Sequence, residues 1–431
     1  MIHSFKTEGQ FNYDILLEKD KKFYCFIGEN GSGKTKLIEN MAKSLIYCSS
    51  IFKKRSDKIK YSGFFMDVAV NDQLKEKKLT LLENITINDH VVKDKKTDNW
   101  GVTPLGLILK DLPIICDKPI VFINPKGRGH IAKNKLNTIT IRERGLAGLA
   151  EVLTKLYHSI NLENSDTQSV EDWFAHRLLL DNKLVAEEDQ RFMEVIELLK
   201  LIDILDPSLE LYNQEKNQVK LLFNANARPS FIFNDTAIPF HFLSSGYASI
   251  IKIFQEIIDA YSAWTGAKES LLLTEGIVFI DEIDSHLHPK WQSRIVDVLK
   301  NAFPNTTFYI TTHSPIILSS LENHEAYKLI NDKEKKTIYT QPIVNPKEWY
   351  FADLLSLAFQ VPYNIRKKNE NENLTSLDQT LIDYTDTVKD YLATDDKTLL
   401  PQIMSMYEII KMQLPETDSR LKNVEALKQY L

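Results

Sequence analysis

A glycine-rich loop between an apolar segment and a helical segment constrains this chain more than any other feature. The chain has 14 glycines in 431 residues, and three of them lie within eight consecutive positions. The segment 23–27 before the loop is apolar throughout, as in a buried strand, and 36–46 has apolar residues at helical spacing. The order strand, loop, helix predicts an α/β core. The loop fits the pattern G-x-x-x-x-G-K-[ST] and consists of Gly28, Glu29, Asn30, Gly31, Ser32, Gly33, Lys34 and Thr35.

This loop has the chemistry of a phosphate site. Glycines let the backbone turn so that several N–H groups point at one anion. The helix that starts near Lys34 adds the positive end of its dipole. Lys34 supplies a point charge for the β- and γ-phosphates, and the Thr35 hydroxyl can ligate Mg²⁺. We therefore predict that the loop binds a nucleoside triphosphate with magnesium.

A second apolar run ends in two carboxylates. The run Ile277-Val278-Phe279-Ile280 is followed directly by Asp281 and Glu282. A buried strand that ends there puts both side chains at the carboxyl edge of the sheet, where α/β folds bind ligands. Asp281 is predicted to hold Mg²⁺ through water, and Glu282 to act as the general base for the attacking water.

Two further segments complete the predicted site. The β-branched run 306–312 is predicted to be the neighbouring strand, and His313 at its end can contact the γ-phosphate or the attacking water. Ser244 and Gly246 precede an isoleucine-rich helix, so that a hydroxyl and N–H groups face an anion. Because residues 28–35 already hold one phosphate group, a second such helix start indicates a site that another subunit completes. The alternative is a serine N-cap without a ligand.

Composition and charge set the broad class of the protein. An apolar content of 43%, a charged content of 26% and a net charge of −6 are ordinary for a soluble globular protein. The three cysteines are too few and too scattered for a disulfide framework or a zinc cluster. The N-terminus lacks the apolar region of a signal peptide, and no apolar run approaches the ~18 to 20 residues that cross a bilayer. The prediction is a cytoplasmic protein without a membrane partner.

The chain divides into a core, an insertion and a tail. We predict a core domain over residues 1–345, with an insertion at about 50–205 that is mainly helical, and a helical C-terminal extension over 346–431. Residues 11–17 and 23–27 are predicted to form an N-terminal hairpin. The tail helices either pack against the core or dock another protein.

A basic stretch within the predicted insertion allows two interpretations. Residues 126–130 (KGRGH), with further lysines and arginines up to position 144, are consistent with contacts to DNA or RNA phosphates. They are equally consistent with a solvated loop.

The four motifs, in this order, resemble those of ATP-binding-cassette ATPases. GENGSGKT is similar to the phosphate loop, LSSGY to the signature motif, IVFIDE to the acidic strand and TTHS to the switch histidine. The resemblance implies an α/β phosphate-loop core that binds ATP and Mg²⁺. It also implies a head-to-head homodimer, or a higher homo-oligomer, with two ATP molecules between the loop of one subunit and the signature of the other. Lys34, Glu282 and His313 would carry hydrolysis, and Ser244, Ser245 and Gly246 would meet the partner's γ-phosphate.

The turn after the acidic pair narrows the resemblance. Residues 284–292 (DSHLHPKWQ) are unlike the corresponding turn of transporters. They are similar to the soluble RecF/SMC-like group, and especially to ATPases of bacterial anti-phage systems such as the Septu, retron and OLD-type ATPases. This implies a sensor or regulatory ATPase of a defence system. Since neither a TOPRIM nor an HNH nuclease pattern is found, we predict a separate effector protein, a nuclease or a toxin.

Departures from the family pattern leave alternatives open. Ser245 replaces the usual first glycine of the signature, Tyr247 the usual glutamine or glutamate, and His288 stands where transporters carry an aspartate. The glutamine that contacts magnesium in the family has two candidates, Gln73 and a residue near Asn124. The rival functions are a DNA-repair ATPase of the RecF type and a nucleotide-gated scaffold with little turnover.

Overall fold

The computed structural model describes most of the predicted core and part of each flanking region. The described residues are 1–8, 12–48, 84–93, 116–131, 170–179, 191–216, 218–224, 228–233, 235–265, 270–349, 354, 376–394, 396–415, 418–428 and 431. Gln73 and the segments 50–83 and 132–169 lie outside them, as does most of the helix predicted after Trp349.

The described residues form fifteen strands and nine α-helices. The strands β1 to β15 are Ser4–Glu8, Asn12–Leu16, Phe23–Ile27, Asn84–Ile87, His90–Lys93, Ile120–Ile123, Tyr212–Asn213, Gln218–Val219, Leu221–Phe223, Pro229–Phe233, Thr236–Pro239, Gly276–Ile280, Thr306–Thr311, Ala326–Asp332 and Thr337–Ile343. The helices α1 to α9 are Lys34–Tyr47, Val170–Leu179, Arg191–Leu205, Ser245–Thr265, Pro289–Ala302, Pro315–Leu318, Ser376–Thr394, Leu400–Gln413 and Ser419–Lys428.

Ten of these strands form one mixed sheet in the order β5-β4-β1-β2-β15-β14-β3-β13-β12-β6. The last five strands, from β14 to β6, are mutually parallel. Cys25 of β3 lies opposite Ile310 of β13, and Ile310 lies opposite Ile280 of β12. Because the strands run in the same direction and in this register, the phosphate loop, the acidic pair and His313 leave the sheet at one edge. The prediction of an α/β fold around the phosphate loop is confirmed.

The parallel strands are buried on both faces. All five residues of β3 are buried; Tyr24 and Phe26 pack on the face that carries α1, and Phe23, Cys25 and Ile27 on the other. Helix α1 turns five apolar residues toward the sheet, each with about 1% exposure or less: Leu37, Ile38, Met41, Ala42 and Leu45. The opposite face is covered by apolar residues of helices α2 to α9. Burial on both faces explains the uninterrupted apolar runs in these strands.

The predicted N-terminal hairpin between 11–17 and 23–27 is wrong. Strand β2 pairs antiparallel with β1 and parallel with β15, whereas β3 lies between β13 and β14. The reason is the pattern of each strand. Only alternate residues of β2 are buried, which suits the half-exposed part of the sheet, and the fully apolar β3 requires a central position with both faces covered.

The predicted insertion contributes to the sheet as well as to a helical layer. Strands β4 and β5 extend the antiparallel part beside β1, and β6 forms the edge next to β12. Helices α2 and α3 pack on each other and on α4. In the tail, α7 packs on α5, and α7 to α9 share the apolar cluster of the core, which is the first of the two alternatives predicted for the tail. The domain boundaries at 50, 205 and 345 remain predictions.

The three cysteines, Cys25, Cys48 and Cys116, are buried and unpaired by disulfides. None of the helices in the described ranges combines the length and the apolar character that a bilayer crossing needs.

Candidate functional site

The backbone of the loop between β3 and α1 adopts conformations that favour glycine. Gly28, Gly31 and Gly33 have φ values of 155°, 80° and 93°. A Cβ atom on Gly33 would lie 3.0 Å from Ile338 Cδ1 and 3.0 Å from the hydroxyl oxygen of Tyr13. The Tyr13 hydroxyl donates a hydrogen bond to the Gly33 carbonyl at 3.0 Å. The loop is therefore held from the sheet side, and its outer side is exposed at Glu29, Asn30 and Gly31.

Two side chains of the loop are buried with their polar groups directed at the loop itself. Lys34 is 6% exposed, and its ammonium group donates to the carbonyl oxygens of Gly28 at 2.8 Å and Glu29 at 3.0 Å. Burial lowers the pKa of Lys34, and the carboxylates of Asp281, Glu282 and Asp284 oppose that shift. The Ser32 hydroxyl is buried without a hydrogen-bond partner among the described residues. A cation and an unsatisfied hydroxyl in a glycine-rich loop at a helix N-terminus fit a phosphate group.

Thr35 meets the end of strand β12 directly. Its hydroxyl donates to Asp281, at 2.9 Å from Oδ2, and the hydroxyl of Thr311 donates to Oδ1 at 2.6 Å. Asp281 is 2% exposed, so its carboxylate position is fixed by these partners. A hydroxyl beside a single carboxylate is the donor set that Mg²⁺ uses together with phosphate oxygens and water. The two residues predicted as metal ligands are thus brought together, and they fit the ion.

Glu282 begins the turn after β12 in an uncommon backbone conformation. Its φ is 46°, in the left-handed region that residues other than glycine seldom adopt. Its N–H donates to the Thr311 hydroxyl at 2.7 Å, and its carbonyl accepts from Arg128 at 2.5 Å and from the Ser285 N–H at 2.8 Å. The peptide groups are held on both sides while the side chain is only partly buried. The carboxylate stands beside the Asp281 site with its backbone immobilised.

His313 follows β13 and is connected to the same turn through Asp284. The Asp284 carboxylate accepts from the Thr312 hydroxyl at 2.5 Å and from the His313 N–H at 3.2 Å. Desolvation lowers the pKa of His313, and the charge of Lys34 lowers it further, against the opposing effect of nearby carboxylates. The imidazole is therefore neutral at pH 7, with one nitrogen able to accept a hydrogen bond and the other to donate one.

The predicted signature residues start helix α4. Ser244 and Ser245 are exposed, whereas Gly246 is buried. A Cβ atom on Gly246 would lie 2.9 Å from Trp291 Cζ3 and 3.1 Å from the His286 carbonyl oxygen. The glycine therefore lets the helix start rest on the turn that follows Glu282. The Ser244 hydroxyl accepts from the Tyr247 N–H at 3.5 Å, as the alternative of a serine N-cap requires.

Three residues of this network were missed or misinterpreted from the sequence. Thr311 and Asp284 lie inside quoted motifs, and their spacing from strand ends was the signal that could have identified them. Arg128 belongs to the basic stretch for which contact with nucleic acid was one interpretation. It is 2% exposed and hydrogen-bonds to the carbonyls of Asp281 and Glu282, so its charge cannot meet an external phosphate. The lysines and arginines from 133 to 144 lie outside the described residues.

Of the two candidates for the magnesium-contacting glutamine, only Asn124 is described. It directly follows β6, the parallel neighbour of β12, and so lies at the same edge of the sheet as Asp281. Its role remains a prediction.

Fold and site together define a phosphate-loop α/β protein, and comparisons with known proteins agree. Residues 260–319 match the family model described as "AAA domain, putative AbiEii toxin, Type IV TA system". The Retron Vc95 probable ATPase of Vibrio cholerae serotype O1 biovar El Tor is 32% identical over 176 residues, 41% of this chain and 33% of that protein. The Septu protein PtuA of Bacillus mycoides (strain KBAB4) is 30% identical over 171 residues, 37% of this chain and 24% of that protein.

A longer match extends the similarity to most of the chain. The Retron Ec83 probable ATPase of Escherichia coli is 23% identical over 395 residues, 78% of this chain and 71% of that protein. The chain thus spans 33% and 24% of the length of the first two relatives and 71% of this one. An SMC head bound to the C-winged helix domain of ScpA is similar with a TM-score of 0.37 and 11% identity, over 84% of this chain and 99% of that one. The predicted resemblance to retron and Septu proteins is confirmed.

Proposed function

We propose that this chain is a magnesium-dependent ATPase. The observation that carries the proposal is the continuous set of hydrogen bonds from Thr35 through Asp281 and Thr311 to Glu282, at the edge of the sheet where the phosphate loop opens. It joins a phosphate cradle, a candidate magnesium ligand pair and a candidate general base. The names of the retron relatives, probable ATPases, support the same activity.

The residues of the chain have separate roles in this proposal. Bound Mg²⁺–ATP supplies the γ-phosphoryl group for transfer to water, with the ion neutralising charge. The loop N–H groups and Lys34 hold the phosphates, and Thr35 and Asp281 would hold the ion. Glu282 accepts the proton of the attacking water as the new O–P bond forms and the bond to the β-phosphate oxygen breaks. The neutral imidazole of His313 orients the water or the γ-phosphate.

We propose further that ATP closes a homodimer. Ser244 and Ser245 are exposed residues at the start of α4, where a helix N-terminus favours an anion. The same helix start rests on the turn of Glu282 through Gly246. The serines of a second chain would contact the triphosphate only in the closed dimer. ATP would therefore favour the closed state over the open one and act as a switch between them.

The similarity to Septu and retron proteins supports a role in bacterial anti-phage defence. In this role the ATPase acts as the sensor or regulatory subunit, and its dimer state controls a separate effector, a nuclease or a toxin. The described helices α7 to α9 pack against the ATPase core.

The substitution Glu282→Gln tests the proposal. It removes the proton acceptor while keeping the size of the side chain, so we expect steady-state ATP hydrolysis to fall by about 10²-fold or more. Binding of Mg²⁺–ATP stays intact, and the closed dimer accumulates because ATP is not consumed. Phosphate release and light scattering in the presence of ATP measure the two effects. In the control variant Glu275→Gln, the same change is made at the exposed residue that precedes β12, and activity stays at the wild-type level.

Two results would count against the proposal. A Glu282→Gln variant that turns over ATP at the wild-type rate would remove this carboxylate from the chemistry. The second result is equal protection of cells against phage by the wild-type chain and the Lys34→Met variant, each expressed with its neighbouring genes. That result would show that ATP binding is not needed for defence.

A further inference from the structure

Arg128 is a buried cation in the turn that follows β6. It is 2% exposed, and the turn 124–131 places it beneath the segment that begins at Asp281. A buried charge is costly unless its N–H groups are hydrogen-bonded. Burial lowers the pKa of Arg128 to about 10, and the carboxylates of Asp284, Asp281 and Glu282 oppose that shift, so the guanidinium is charged at neutral pH.

The guanidinium hydrogen-bonds to two elements at once. On one side Nη1 donates to the Asp281 carbonyl at 3.1 Å, and Nη2 donates to the Glu282 carbonyl at 2.5 Å. On the other side Nε donates at 2.9 Å to the hydroxyl of Ser249, in the first turns of α4. The Ser249 hydroxyl in turn donates to the Ser285 carbonyl at 3.3 Å. The planar fork of an arginine is suited to connect fixed acceptors in this way.

The Glu282 carbonyl, which accepts from Nη2 of Arg128 at 2.5 Å, belongs to a residue with a left-handed backbone conformation. A non-glycine residue at φ 46° persists only where its surroundings over-determine it. For Glu282 the Thr311 hydroxyl holds the N–H, while Arg128 and the Ser285 N–H hold the carbonyl. Removing Arg128 leaves one side of this clamp to a single backbone hydrogen bond.

The turn that carries Arg128 is itself fastened to α4. The ammonium group of Lys252 donates to the carbonyls of Gly127 and His130. Gly129 packs so closely on the His286 ring that an added Cβ atom would lie 2.7 Å from it. Hydrogen bonds and close packing therefore join the turn 124–131, the start of α4 and the turn after β12 to one another.

We propose that Arg128 is a positioning residue for ATP hydrolysis, which fixes the main chain of Glu282 and connects it to the helix that starts at Ser245. The inference rests on the proposed ATPase function. A movement of the helix start, where a second chain would bind, would reach the Glu282 carboxylate through this guanidinium.

Steady-state kinetics and hydrogen exchange on the Arg128→Met variant test the inference. Because a misplacement of about 1 Å can cost about 10²-fold in rate, we expect kcat to fall by about 10- to 100-fold while KM for Mg²⁺–ATP changes by less than about threefold. Amide exchange in residues 281–287 accelerates, and exchange in residues 28–35 does not. The control is Lys126→Met, which removes the same charge from the exposed part of the same turn and leaves kcat at the wild-type value.

Two conservative variants separate positioning from a general effect on folding. Arg128→Lys keeps the charge but not the fork, and its kcat lies between those of the wild type and Arg128→Met. Ser249→Ala keeps the bonds to the carbonyls but removes the connection to α4, and we expect a smaller kcat loss that is not additive with Arg128→Met. If Arg128→Met fails to fold, these two variants carry the test.

The outcomes distinguish this inference from the proposed function. Unchanged kcat and unchanged exchange in residues 281–287 overturn the inference, as does a rise in KM at constant kcat, which would place Arg128 in nucleotide binding. If the wild-type chain hydrolyses no ATP, the proposed function fails, and the exchange measurement alone decides whether Arg128 holds the turn of Glu282.

Discussion

The hydrogen that Gly33 carries in place of a side chain faces Tyr13 and Ile338, two residues from strands β2 and β15. This contact explains why the last glycine of the loop is needed for packing as well as for its φ of 93°. Gly31 has a φ of 80°, but an added Cβ atom would meet open space. A side chain added at Gly31 would meet only the cost of the left-handed backbone, whereas one added at Gly33 would also clash with its neighbours.

The substitution Gly33→Ala is expected to destabilise the chain more than Gly31→Ala. Both place an L-residue in the left-handed region, at about 1–3 kcal/mol, but only Gly33→Ala adds contacts at 3.0 Å that displace neighbours. Urea unfolding without nucleotide measures the difference in the free energy of unfolding. The affinity for Mg²⁺–ATP is expected to fall more in Gly33→Ala than in Gly31→Ala. Equal unfolding free energies for the two variants would show that the packing against Tyr13 and Ile338 contributes nothing.

Lys34, Thr35, Asp281 and Glu282 were predicted from the sequence because each lies in a short contiguous motif. The motif carries its own geometry: a glycine loop between a strand and a helix, or carboxylates at the end of an apolar run. Arg128 could not be predicted in the same way. It follows an edge strand by a few residues, and its role depends on carbonyl groups more than 150 residues further along the chain.

At the scale of the elements, buried ion pairs join the helices of the predicted insertion to helix α4. Arg177 of α2 donates to Glu194 of α3 at 2.6 Å and to Asp259 of α4 at 3.0 Å, and its guanidinium lies 4.1 Å from the Trp173 ring centroid. The Ser262 hydroxyl donates to the other oxygen of Glu194 at 2.5 Å. Two buried carboxylates thus share the Arg177 cation.

Replacing Arg177 with methionine is expected to cost about 3–5 kcal/mol of unfolding free energy, because it withdraws the cation from between two buried carboxylates. Thermal or denaturant unfolding measures the loss. The matched variant Lys6→Met breaks the exposed pair with Asp14, whose ammonium and carboxylate groups are 3.0 Å apart, and costs about 1 kcal/mol or less. Similar losses for both variants would mean that the buried network adds no more than a surface pair.

The order of the strands also belongs to this scale. The runs 277–280 and 306–312 were predicted as strands, and they form β12 and β13. The pairing of 11–17 was predicted wrongly, since hairpin signals are local and the partners of β2 include β15, more than 300 residues away along the chain. Strand identity follows from local apolar pattern, but strand neighbours are selected by which faces must be covered.

At the scale of the whole molecule, the candidate phosphate and magnesium residues lie at one sheet edge, while the predicted signature serines are exposed at the start of α4. A site shared between two chains requires this separation, because each chain would bind one triphosphate with its own phosphate loop and contact the partner's triphosphate with its serines. It also defines an experiment that separates a shared site from a site within one chain.

Mixing two inactive variants is expected to restore ATP hydrolysis. Lys34→Met destroys the cradle, and Ser244→Arg blocks the signature. A heterodimer of the two retains one site with an intact cradle and an intact signature. With random 1:1 exchange, half the dimers are mixed and each has one of two sites, so about a quarter of the wild-type rate returns. The control mixes Lys34→Met with Lys34→Met,Ser244→Arg, which leaves no intact site, and activity stays absent. No recovery in the first mixture would confine the site to one chain.

The local motifs of this chain were sufficient to predict an α/β core, with a glycine loop after one buried strand and two carboxylates at the end of another, because each depends on residues adjacent in sequence and on the periodicity of buried strands. The tertiary structure decided which strands are neighbours. It also decided that Arg128 is buried against the carbonyls of Asp281 and Glu282, and that Ser244 is exposed while Gly246 packs on Trp291. These features arise from contacts between segments distant in sequence, and such contacts are selected by the burial of faces and charges in the folded chain.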